Sequence, residues 1–390
     1  MLLGGTLGSL RPADRGLAHA IVLAVLRHLG DLDRAIDSAT PRPVPADARV
    51  RAVLRIALAQ AWVLGTPGHA VIATALALLE RGPRRLAHAV LTRLLAEASP
   101  LPNPPSLPVP WGERWTKTHG AEATAAIAAV LAREPPLDLT LRDSGETALW
   151  AERLGGTSLL PGNVRLPRAS DVTVLPGFAE GAWWVQDLAA SLAARVLACA
   201  PGEAVLDLCA APGGKTLQLA AMGALVTALD LSERRLALVA QNLARTGLAA
   251  ELVAADVLAW SPAVAQTAIL LDAPCSATGT ARRHPDVLHL KAARDLAPVL
   301  EVQAALLARA ARWLAPGGRM IYCVCSLEPD EGEAQIARLL RDDSAMHMRP
   351  IGDTELPSGI ARAPQGWLRT LPGQIAGGLD GFFLALLTHA

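Results

Sequence analysis

Residues 14–98 place apolar side chains at the spacing of amphipathic helices. Four segments rich in Ala and Leu repeat an apolar residue every three or four positions, and no alternation typical of a strand interrupts them. Thr66-Pro67-Gly68 and Arg81-Gly82-Pro83 have the composition of turns between helices. The pattern predicts a compact helical bundle with helices at 15–29, 46–64, 69–81 and 84–96.

A proline-rich segment ends this helical region. Residues 99–110 contain six prolines, which fix φ and lack a backbone N–H, so the segment predicts a semi-rigid spacer and a domain boundary. Helical spacing returns over 111–133, where Trp111 and Trp115 are expected to anchor a helix by packing. Short apolar runs separated by turns then cover 137–177 and predict a small α+β subdomain.

From residue 181 onward, helical and strand patterns alternate. An amphipathic helix over 181–200 leads into a first apolar strand at Val205, and the later helices are predicted at 232–246, 298–314 and 331–341. Ser232 is expected to cap its helix and Gly247 to end it. Further strands are predicted at 224–230, 251–255, 268–272, 319–324 and 381–388. This order is typical of a doubly wound parallel sheet with an antiparallel C-terminal edge.

Composition and charge narrow the class of protein. The 36 basic and 36 acidic side chains balance, so a nucleic acid would have to bind a local basic patch. Arg81, Arg84 and Arg85 form one such cluster, which fits either a solvated helix end or an RNA contact. There is no long uncharged apolar run and no signal-peptide pattern, so a soluble cytoplasmic protein is expected. The five cysteines lack the spacing of disulfide or zinc frameworks, which predicts free thiols and no metal.

The segment from Val205 to Thr216 predicts a strand, a glycine-rich loop and the start of a helix. Gly213 and Gly214 let a ligand approach the backbone, and the free N–H groups of the helix favour polar or anionic atoms. The loop is not a P-loop, because Cys209 occupies the position of that motif's first glycine, and no dinucleotide Gly-x-Gly-x-x-Gly is present. The segment therefore predicts a cradle for another nucleotide cofactor.

Acidic residues follow successive apolar runs, at Asp207, Asp230, Asp256 and Asp272. Ligands of an open parallel sheet bind at the carboxyl ends of its strands, so these carboxylates are expected to converge on one crevice. Asp230 follows Asp207 by 23 residues, close to the interval of about 20 at which an acid meets a ribose hydroxyl. The series favours S-adenosylmethionine over ATP.

Two cysteines follow neighbouring strands, Cys275 in Asp-Ala-Pro-Cys and Cys325 in Tyr-Cys-Val-Cys-Ser. Adjacent strand ends face the same crevice, so both thiols are expected within reach of one substrate. A thiolate that adds to carbon 6 of cytosine makes carbon 5 nucleophilic toward a sulfonium methyl group, and a second thiol can help remove the C5 proton. Asp272 is expected to hold the base. Arg282-Arg283-His284 fits either a phosphate contact or a charged surface loop.

Several motifs resemble those of the Sun/RsmB family of bacterial RNA cytosine-5 methyltransferases. They are Cys-Ala-Ala-Pro-Gly-Gly-Lys at 209–215, Asp-Ala-Pro-Cys-Ser-Ala-Thr-Gly at 272–279 followed by Arg-Arg-His-Pro-Asp, and Tyr-x-x-Cys-Ser-x-x-Pro-x-Glu at 322–331. Leu-Pro-Gly-Phe at 175–178 and Asp-Gly-Phe-Phe at 380–383 also fit. The helical N-terminus resembles the NusB-like RNA-binding domain of that family, so the resemblance spans nearly the whole chain.

The resemblance implies a multidomain fold: an all-α NusB-like helical bundle, a small α+β subdomain and an α/β Rossmann-like methyltransferase domain. The implied boundaries are 1–98 for the bundle, 99–135 for the linker and connecting helix, 136–180 for the substrate-recognition subdomain, and 181–390 for the catalytic domain. The implied reaction is S-adenosylmethionine-dependent methylation of carbon 5 of a cytosine in 16S ribosomal RNA. A monomer is expected.

The resemblance also implies roles for particular residues. Cys325 is the expected nucleophile, Cys275 assists release, and Asp272 and Lys215 complete the catalytic set. The expected cofactor site comprises Cys209, Ala210, Ala211, Pro212, Gly213, Gly214, Lys215, Asp230, Asp256 and Asp272. Two alternatives remain: a DNA cytosine-5 methyltransferase with Cys275 as nucleophile, and a non-catalytic NusB-like RNA-binding assembly factor.

The chain departs from the family pattern in three places. Val324 precedes the expected nucleophile where the family has Thr. Cys323 is an extra thiol, expected to point to the same side of an extended strand as Cys325. Residues 139–143 replace the family's Arg-Val-Asn element, so substrate contacts there are not carried over.

Overall fold

A computed structural model describes residues 8, 10–97, 101–167, 171–290, 296–352 and 356–390. The chain forms two compact units, one of Met1–Thr116 with Thr124–Arg133 and the other of Lys117–Ala123 with Glu134–Ala390. The predicted boundary between residues 98 and 99 lies outside the described residues. Among the helices of the described ranges, none is long and apolar enough to cross a membrane.

The first unit contains the predicted helical bundle. Its core is built from fully buried aliphatic side chains such as Leu32, Leu54, Leu58 and Leu91. The helices here span Pro12–Arg27, Leu29–Ser38, Arg49–Trp62, Gly68–Ala77 and Arg81–Ala96. The helix at Leu29–Ser38 was not predicted, because its short run carries three aspartates among few apolar residues.

The prediction that Arg81-Gly82-Pro83 separates two helices is wrong, since these residues form the first turn of the helix Arg81–Ala96. Proline is tolerated there because the N–H groups of a first turn have no partner within the helix. The three clustered arginines of this turn are exposed.

The predicted helix over 111–133 is two helices, Val109–His119 and Ala121–Leu131. Gly120 separates them with φ at +87°, a conformation that side chains disfavour. Trp111 and Trp115 are buried with ring centroids 6.2 Å apart, which confirms their predicted role in packing.

A small antiparallel sheet, in the order β2-β1-β3, follows. Its strands are β1 (Leu137–Leu141), β2 (Asn163–Leu166) and β3 (Trp183–Val185), with a helix at Thr147–Leu154. β1 coincides with a predicted run, whereas β3 lies in a segment predicted to be helical. Leu139 pairs with Val185 across the two strands, so the small sheet extends beyond residue 180. The helix itself covers only Leu188–Leu197 and begins at the N-cap Asp187.

The large sheet has the order β10-β11-β8-β7-β4-β5-β6, with β9 paired to β11. Its strands are β4 (Ala204–Leu208), β5 (Leu225–Asp230), β6 (Glu251–Ala254), β7 (Gln266–Asp272), β8 (Leu314–Val324), β9 (Met346–Met348), β10 (Leu368–Thr370) and β11 (Phe382–His389). The five strands from β4 through β8 run parallel to one another, and β11 runs antiparallel to β8. The predicted doubly wound sheet with antiparallel C-terminal strands is confirmed.

Helices cover both faces of this sheet and bury two apolar layers. They span Leu188–Leu197, Gly214–Ala221, Glu233–Thr246, Leu296–Ala311 and Glu333–Asp342. A short helix at Val287–Leu290 contacts the turn Thr278–Thr280. Ser232 caps its helix by accepting the Arg235 N–H, and Gly247 ends it with φ at +66°, as predicted.

The predicted helix at 298–314 is too long, because the helix ends at Ala311 and β8 already starts at Leu314. Pro316-Gly317-Gly318 lies within β8, where Gly317 has φ at +75° and the pairing register with β7 shifts. A bulge therefore accommodates these residues within the strand.

Candidate active site

The glycine-rich loop connects β4 to the helix Gly214–Ala221. Gly213 is the N-cap of that helix with φ at +100°, and a Cβ there would lie 2.9 Å from Val239 Cγ1. Both the conformation and the packing therefore require glycine. The Ala211 N–H donates to Asp230 Oδ2 at 3.0 Å, and the Ser232 N–H donates to Asp230 Oδ1 at 2.9 Å. Asp230 thus ties the loop to the end of β5.

A cavity of about 400 Å³ lies at the carboxyl ends of the central strands. Six of the residues predicted for the site line it, namely Ala210, Pro212, Gly214, Lys215, Asp272 and Cys325. Five further predicted residues are not among its lining residues. Three of them, Cys209, Ala211 and Gly213, adjoin lining residues in the sequence. Cys275 contacts Cys325, and Asp230 contacts the loop through Ala211. Asp256 is exposed and accepts the Leu258 N–H at 2.9 Å, so the structure does not bring it into the cavity wall.

Sequence reasoning missed the aromatic and polar part of the cavity wall. The additional lining residues include Phe178, Trp184, Gln186, Asn242, Arg245 and Phe382. The Arg245 guanidinium lies 4.3 Å from the centroid of the Phe178 ring. Phe178 and Phe382 belong to the motifs at 175–178 and 380–383, so the sequence held a signal for these two. The others had none, because β3, the residue after it and the helix Glu233–Thr246, which supply them, carry no recognised motif.

These features fit S-adenosylmethionine. The Gly214 backbone in the cavity wall, the N-terminus of a helix and apolar rings nearby suit a nucleoside with a charged tail. Gly213 instead sets the shape of the loop, because a Cβ there would collide with Val239, which does not line the cavity.

Lys215 and Asp272 form an ion pair in the cavity wall, with Nζ 2.8 Å from Oδ2. Burial lowers the pKa of the Lys215 ammonium, but Asp272 and nearby thiols raise it more, so the net shift is upward. Its Nζ also lies 5.1 Å from the centroid of the Phe382 ring. Lys215 is therefore a fixed positive charge beside a carboxylate that keeps 29% of its side-chain surface exposed.

The two predicted thiols meet beside this ion pair. Cys275 Sγ lies 3.4 Å from Cys325 Sγ, and all five cysteines are free thiols. The hydrogen bond with Cys325, together with burial, raises the pKa of the Cys275 thiol well above its ordinary value. Cys275 therefore remains protonated and is suited to donate to the Cys325 sulfur.

Cys323 lies on the same side of β8 as Cys325, as predicted. Cys323 belongs to one apolar layer and Cys325 packs against that layer, whereas Val324 lies in the layer on the opposite face. Cys323 is fully buried, outside the cavity wall, and its Sγ donates to Asp272 Oδ1 at 3.5 Å. Burial raises the pKa of this thiol well above its ordinary value, so it is a poor nucleophile.

Asp207, the first acid of the series, lies below the cavity. It is fully buried at the end of β4 and accepts a hydrogen bond from Thr216 Oγ1 at 2.6 Å. Burial raises the pKa of this carboxyl to about 7. Of the acids that were expected to converge on one crevice, Asp272 lines the cavity, whereas Asp207 is enclosed in the protein.

The prediction that Arg282 contacts phosphate or lies in a surface loop is wrong. Its side chain is fully buried and forms ion pairs with Asp187 and Asp380, with Nε 2.8 Å from Asp380 Oδ1. Arg283 also pairs with Asp380, through Nε at 3.0 Å, but its side chain is 35% exposed and lines the cavity. Within the described ranges, no group of three or more His, Cys, Asp or Glu is arranged to hold a metal ion.

Comparisons with known proteins agree with this architecture. Residues 194–388 match the family model "16S rRNA methyltransferase RsmB/F", and residues 6–93 match that of the NusB family. The chain is 37% identical to ribosomal RNA small subunit methyltransferase B of Xanthomonas campestris, covering 97% of this chain and 90% of the relative. It is 38% identical to the protein of that name from Xylella fastidiosa strain 9a5c, covering 96% and 91%.

Solved structures share the fold. The crystal structure of PH0851 matches with a TM-score of 0.77 at 23% identity, covering 98% of this chain and 92% of that one. NSun6 from Pyrococcus horikoshii matches with a TM-score of 0.63 at 19% identity, covering 72% and 98%. From the matches to the family model and to full-length relatives, the chain belongs to the RsmB/F family of S-adenosylmethionine-dependent 16S rRNA methyltransferases.

Proposed function

We propose that this enzyme methylates carbon 5 of a cytosine in 16S ribosomal RNA through a covalent intermediate on Cys325. The observation that carries the proposal is the 3.4 Å separation of the Cys275 and Cys325 sulfurs at the cavity. Two thiols are of use to a reaction in which one must add to the base while a proton leaves a neighbouring carbon. N-methylation of an exocyclic amine needs neither.

Cys325 is the better candidate for the nucleophile. It lines the cavity, while Cys275 is behind it and has a raised pKa that favours the protonated thiol. In the proposed sequence, the Cys325 thiolate adds to cytosine C6, and the electron pair of the C5–C6 bond becomes available at C5. Asp272, held by Lys215, accepts a hydrogen bond from the base edge and orients the ring.

S-adenosylmethionine held by the glycine-rich loop would supply an electrophilic methyl group on its sulfonium, and C5 would accept this methyl group as the C–S bond breaks and the neutral thioether leaves. Once Cys325 is bonded to C6, the contact with Cys325 that raises the pKa of the Cys275 thiol is lost, so Cys275 passes its proton to solvent and then, as thiolate, removes the proton from C5. The electron pair of that C–H bond restores the C5–C6 double bond and expels Cys325 as thiolate. This order leaves both the base and Cys325 in their starting electronic state, apart from the added methyl group.

Trapping of the covalent intermediate tests these roles. Cys275→Ala is expected to accumulate a protein–RNA adduct on denaturing gels after incubation with unmodified 16S RNA and S-adenosylmethionine, because it can add but not release. Cys325→Ala is expected to give no adduct and no methylation. Analysis of digested RNA by mass spectrometry would identify 5-methylcytosine as the product of the parent enzyme.

Two matched substitutions sharpen this test. Cys199→Ala removes a buried thiol whose pKa is raised to about 11, and it should methylate RNA without trapping it. Cys323→Ala should likewise trap no adduct, because Cys323 is enclosed. Adduct accumulation by Cys325→Ala instead of Cys275→Ala would reverse the two roles. If purified RNA yields no adduct with any variant, the same assay on ribosomal assembly particles decides whether the chemistry occurs at all.

A further inference from the structure

A buried carboxylate outside the cavity wall joins the two cysteine loops. Glu331 is fully buried in a short turn, Pro329–Glu331, which follows β8. Its Oε1 accepts the Ser276 backbone N–H at 2.7 Å, and its Oε2 accepts the hydroxyls of Ser276 and Ser326. Ser276 directly follows Cys275, and Ser326 directly follows Cys325, so one side chain binds the residue after each thiol.

We propose that Glu331 is a positioning residue that fixes the separation between Cys275 and Cys325. The proposal rests on the proposed function insofar as that function gives the two thiols complementary roles. Glu331 touches neither the cavity nor a sulfur, and acts through Ser276 and Ser326.

A second donor extends the same clamp to the other side of Cys275. Gln303 Nε2 donates to Glu331 Oε1 at 3.0 Å and to the Pro274 carbonyl at 2.9 Å. Cys275 is therefore held through both of its neighbours in the chain. Gln303 is itself fully buried in the helix Leu296–Ala311, so the clamp is anchored to a packed element and not to a loop.

The chemistry of the contacts calls for a carboxylate. Four donors converge on Glu331: one backbone N–H, two hydroxyls and one amide NH₂. A carboxylate accepts through both oxygens, whereas a glutamine has a single acceptor oxygen and an NH₂ that would face the donors. Glu331→Gln thus preserves the shape of the side chain and disrupts about half of the clamp.

The separation matters because both sulfurs must act on adjacent atoms of one base. A displacement of about 1 Å in a reacting group can cost on the order of 10²-fold in rate. If the clamp loosens, the thiols separate and the release step suffers together with addition.

A direct measurement of thiol separation tests the proposal without relying on activity. A short bifunctional thiol reagent is reacted with the full-length enzyme, and peptide mass spectrometry quantifies the Cys275–Cys325 cross-link. We expect Glu331→Gln to form this cross-link about tenfold more slowly, while a monofunctional reagent labels Cys325 within about twofold of the parent rate. Parental cross-linking in Glu331→Gln would overturn the proposal.

A matched control substitutes a partly buried glutamate that lies away from the two cysteine loops. Glu203 pairs with Arg319 near the start of β4 and contacts neither cysteine loop. Glu203→Gln should cross-link at the parental rate even if its stability falls. If Glu331→Gln does not fold, the Ser276→Ala/Ser326→Ala double variant removes the two hydroxyl contacts and leaves the carboxylate, and it should slow cross-linking in the same direction.

Activity then separates this proposal from the proposed function. In single-turnover reactions, Glu331→Gln is expected to lower the maximal rate constant of methylation by about 10²-fold. The RNA concentration at half the maximal rate should stay within about threefold, because the residues that line the cavity are unchanged. A fall in cross-linking without covalent RNA adducts in any variant would retain Glu331 as a positioning residue and reject the covalent mechanism. Unchanged cross-linking together with normal adducts would reject Glu331 as a positioning residue and retain the covalent mechanism.

Discussion

Two buried ion clusters border the same cavity, and they differ in what they leave exposed. Lys215 and Asp272 form one, in which the carboxylate side chain keeps 29% of its surface exposed. Arg282 joins Asp187 and Asp380 in the other, where all three side chains are about 1% exposed. The first cluster can therefore meet a substrate, while the second has its charges committed within the protein.

The enclosed cluster connects distant parts of the chain. Asp187 is the N-cap of the helix Leu188–Leu197, and its Oδ1 accepts the Asp380 backbone N–H at 3.0 Å. Asp380 lies just before β11. Arg282 links both, across 95 and 98 residues of sequence. The comparison teaches that a charge beside an active site is assigned to chemistry or to folding by its exposure and partners, not by its residue type.

The largest expected effect belongs to the exposed cluster. Asp272→Asn should lower the rate constant of methylation by about 10³-fold, equal to about 4 kcal/mol in the activation barrier, because the amide replaces one acceptor oxygen by an NH₂ group and accepts the hydrogen bond from the base edge less strongly than the carboxylate. Stability should change much less, since the remaining Lys215 can lose its proton. Single-turnover methylation and urea unfolding measure the two quantities.

The matched control for this amide substitution is Asp342→Asn, at the end of the helix Glu333–Asp342, where the carboxylate is 55% exposed. It should leave both quantities unchanged. A tenfold or smaller loss of activity in Asp272→Asn would place Asp272 with the structural cluster and erase the contrast.

The second expected effect is a loss of stability. Arg282→Met leaves Asp187 without an ion-pair partner in a buried site and should lower the free energy of unfolding by about 3 kcal/mol. Methylation per folded molecule should stay within about tenfold of the parent. Arg338→Met, which breaks an exposed pair, should cost less than about 1 kcal/mol in urea unfolding. Full stability with abolished catalysis in Arg282→Met would assign Arg282 to the reaction.

The sequence predicted those helices and strands whose signals lie within the element itself. β1 alternates leucine with polar residues over five positions, and the helix Glu233–Thr246 carries its own cap and stop. β3 was missed because its partner, β1, lies more than 40 residues earlier, and a Trp-Trp-Val run before a helix does not show that pairing. Its register is fixed by tertiary packing and not by its own sequence.

In the candidate site too, contacts between neighbouring strands could be predicted from the sequence, and contacts between distant segments could not. The meeting of Cys275 and Cys325 was predictable, because the carboxyl ends of adjacent parallel strands share one edge of a sheet. The burial of Arg282 was not, because Asp187 and Asp380 reach it from distant segments. Nothing in Arg-Arg-His distinguishes an enclosed arginine from an exposed neighbour.

Asp207 extends the comparison to a buried acid that forms no ion pair with the residues that the structure describes. The Asp207 Oδ2 atom accepts from Thr216, while Oδ1 has no hydrogen-bond partner among the described residues. Burial raises the pKa of this carboxyl to about 7, from an ordinary value near 3.8. Between these two pH values the folded protein retains a proton that the unfolded chain has released, so this group makes the free energy of unfolding fall as pH rises.

Asp207→Asn removes this titration. From pH 5 to pH 7, the parent should lose about 2 kcal/mol of unfolding free energy relative to the variant, and above pH 7 the difference should level off. Urea unfolding of both proteins at each pH measures it, and other titrating groups cancel in the comparison. An equal slope for parent and variant would show that Asp207 is already ionised at pH 5 when folded.

The smallest expected effect concerns Arg283, which stands between the two clusters. It shares Asp380 with Arg282, yet its side chain is 35% exposed and lines the cavity. Arg283→Gln should cost only about 1 kcal/mol of stability, because Asp380 keeps Arg282 as a partner. If the exposed guanidinium contacts an RNA phosphate, the slope of log affinity against log salt should shrink by about 0.7 to 0.9. Binding of a 16S RNA fragment at several salt concentrations measures that slope, with Arg338→Gln as a control expected to leave it unchanged. A reduced stability with an unaltered slope would place Arg283 wholly in the structural cluster, and exposure alone would then no longer separate the two kinds of charge.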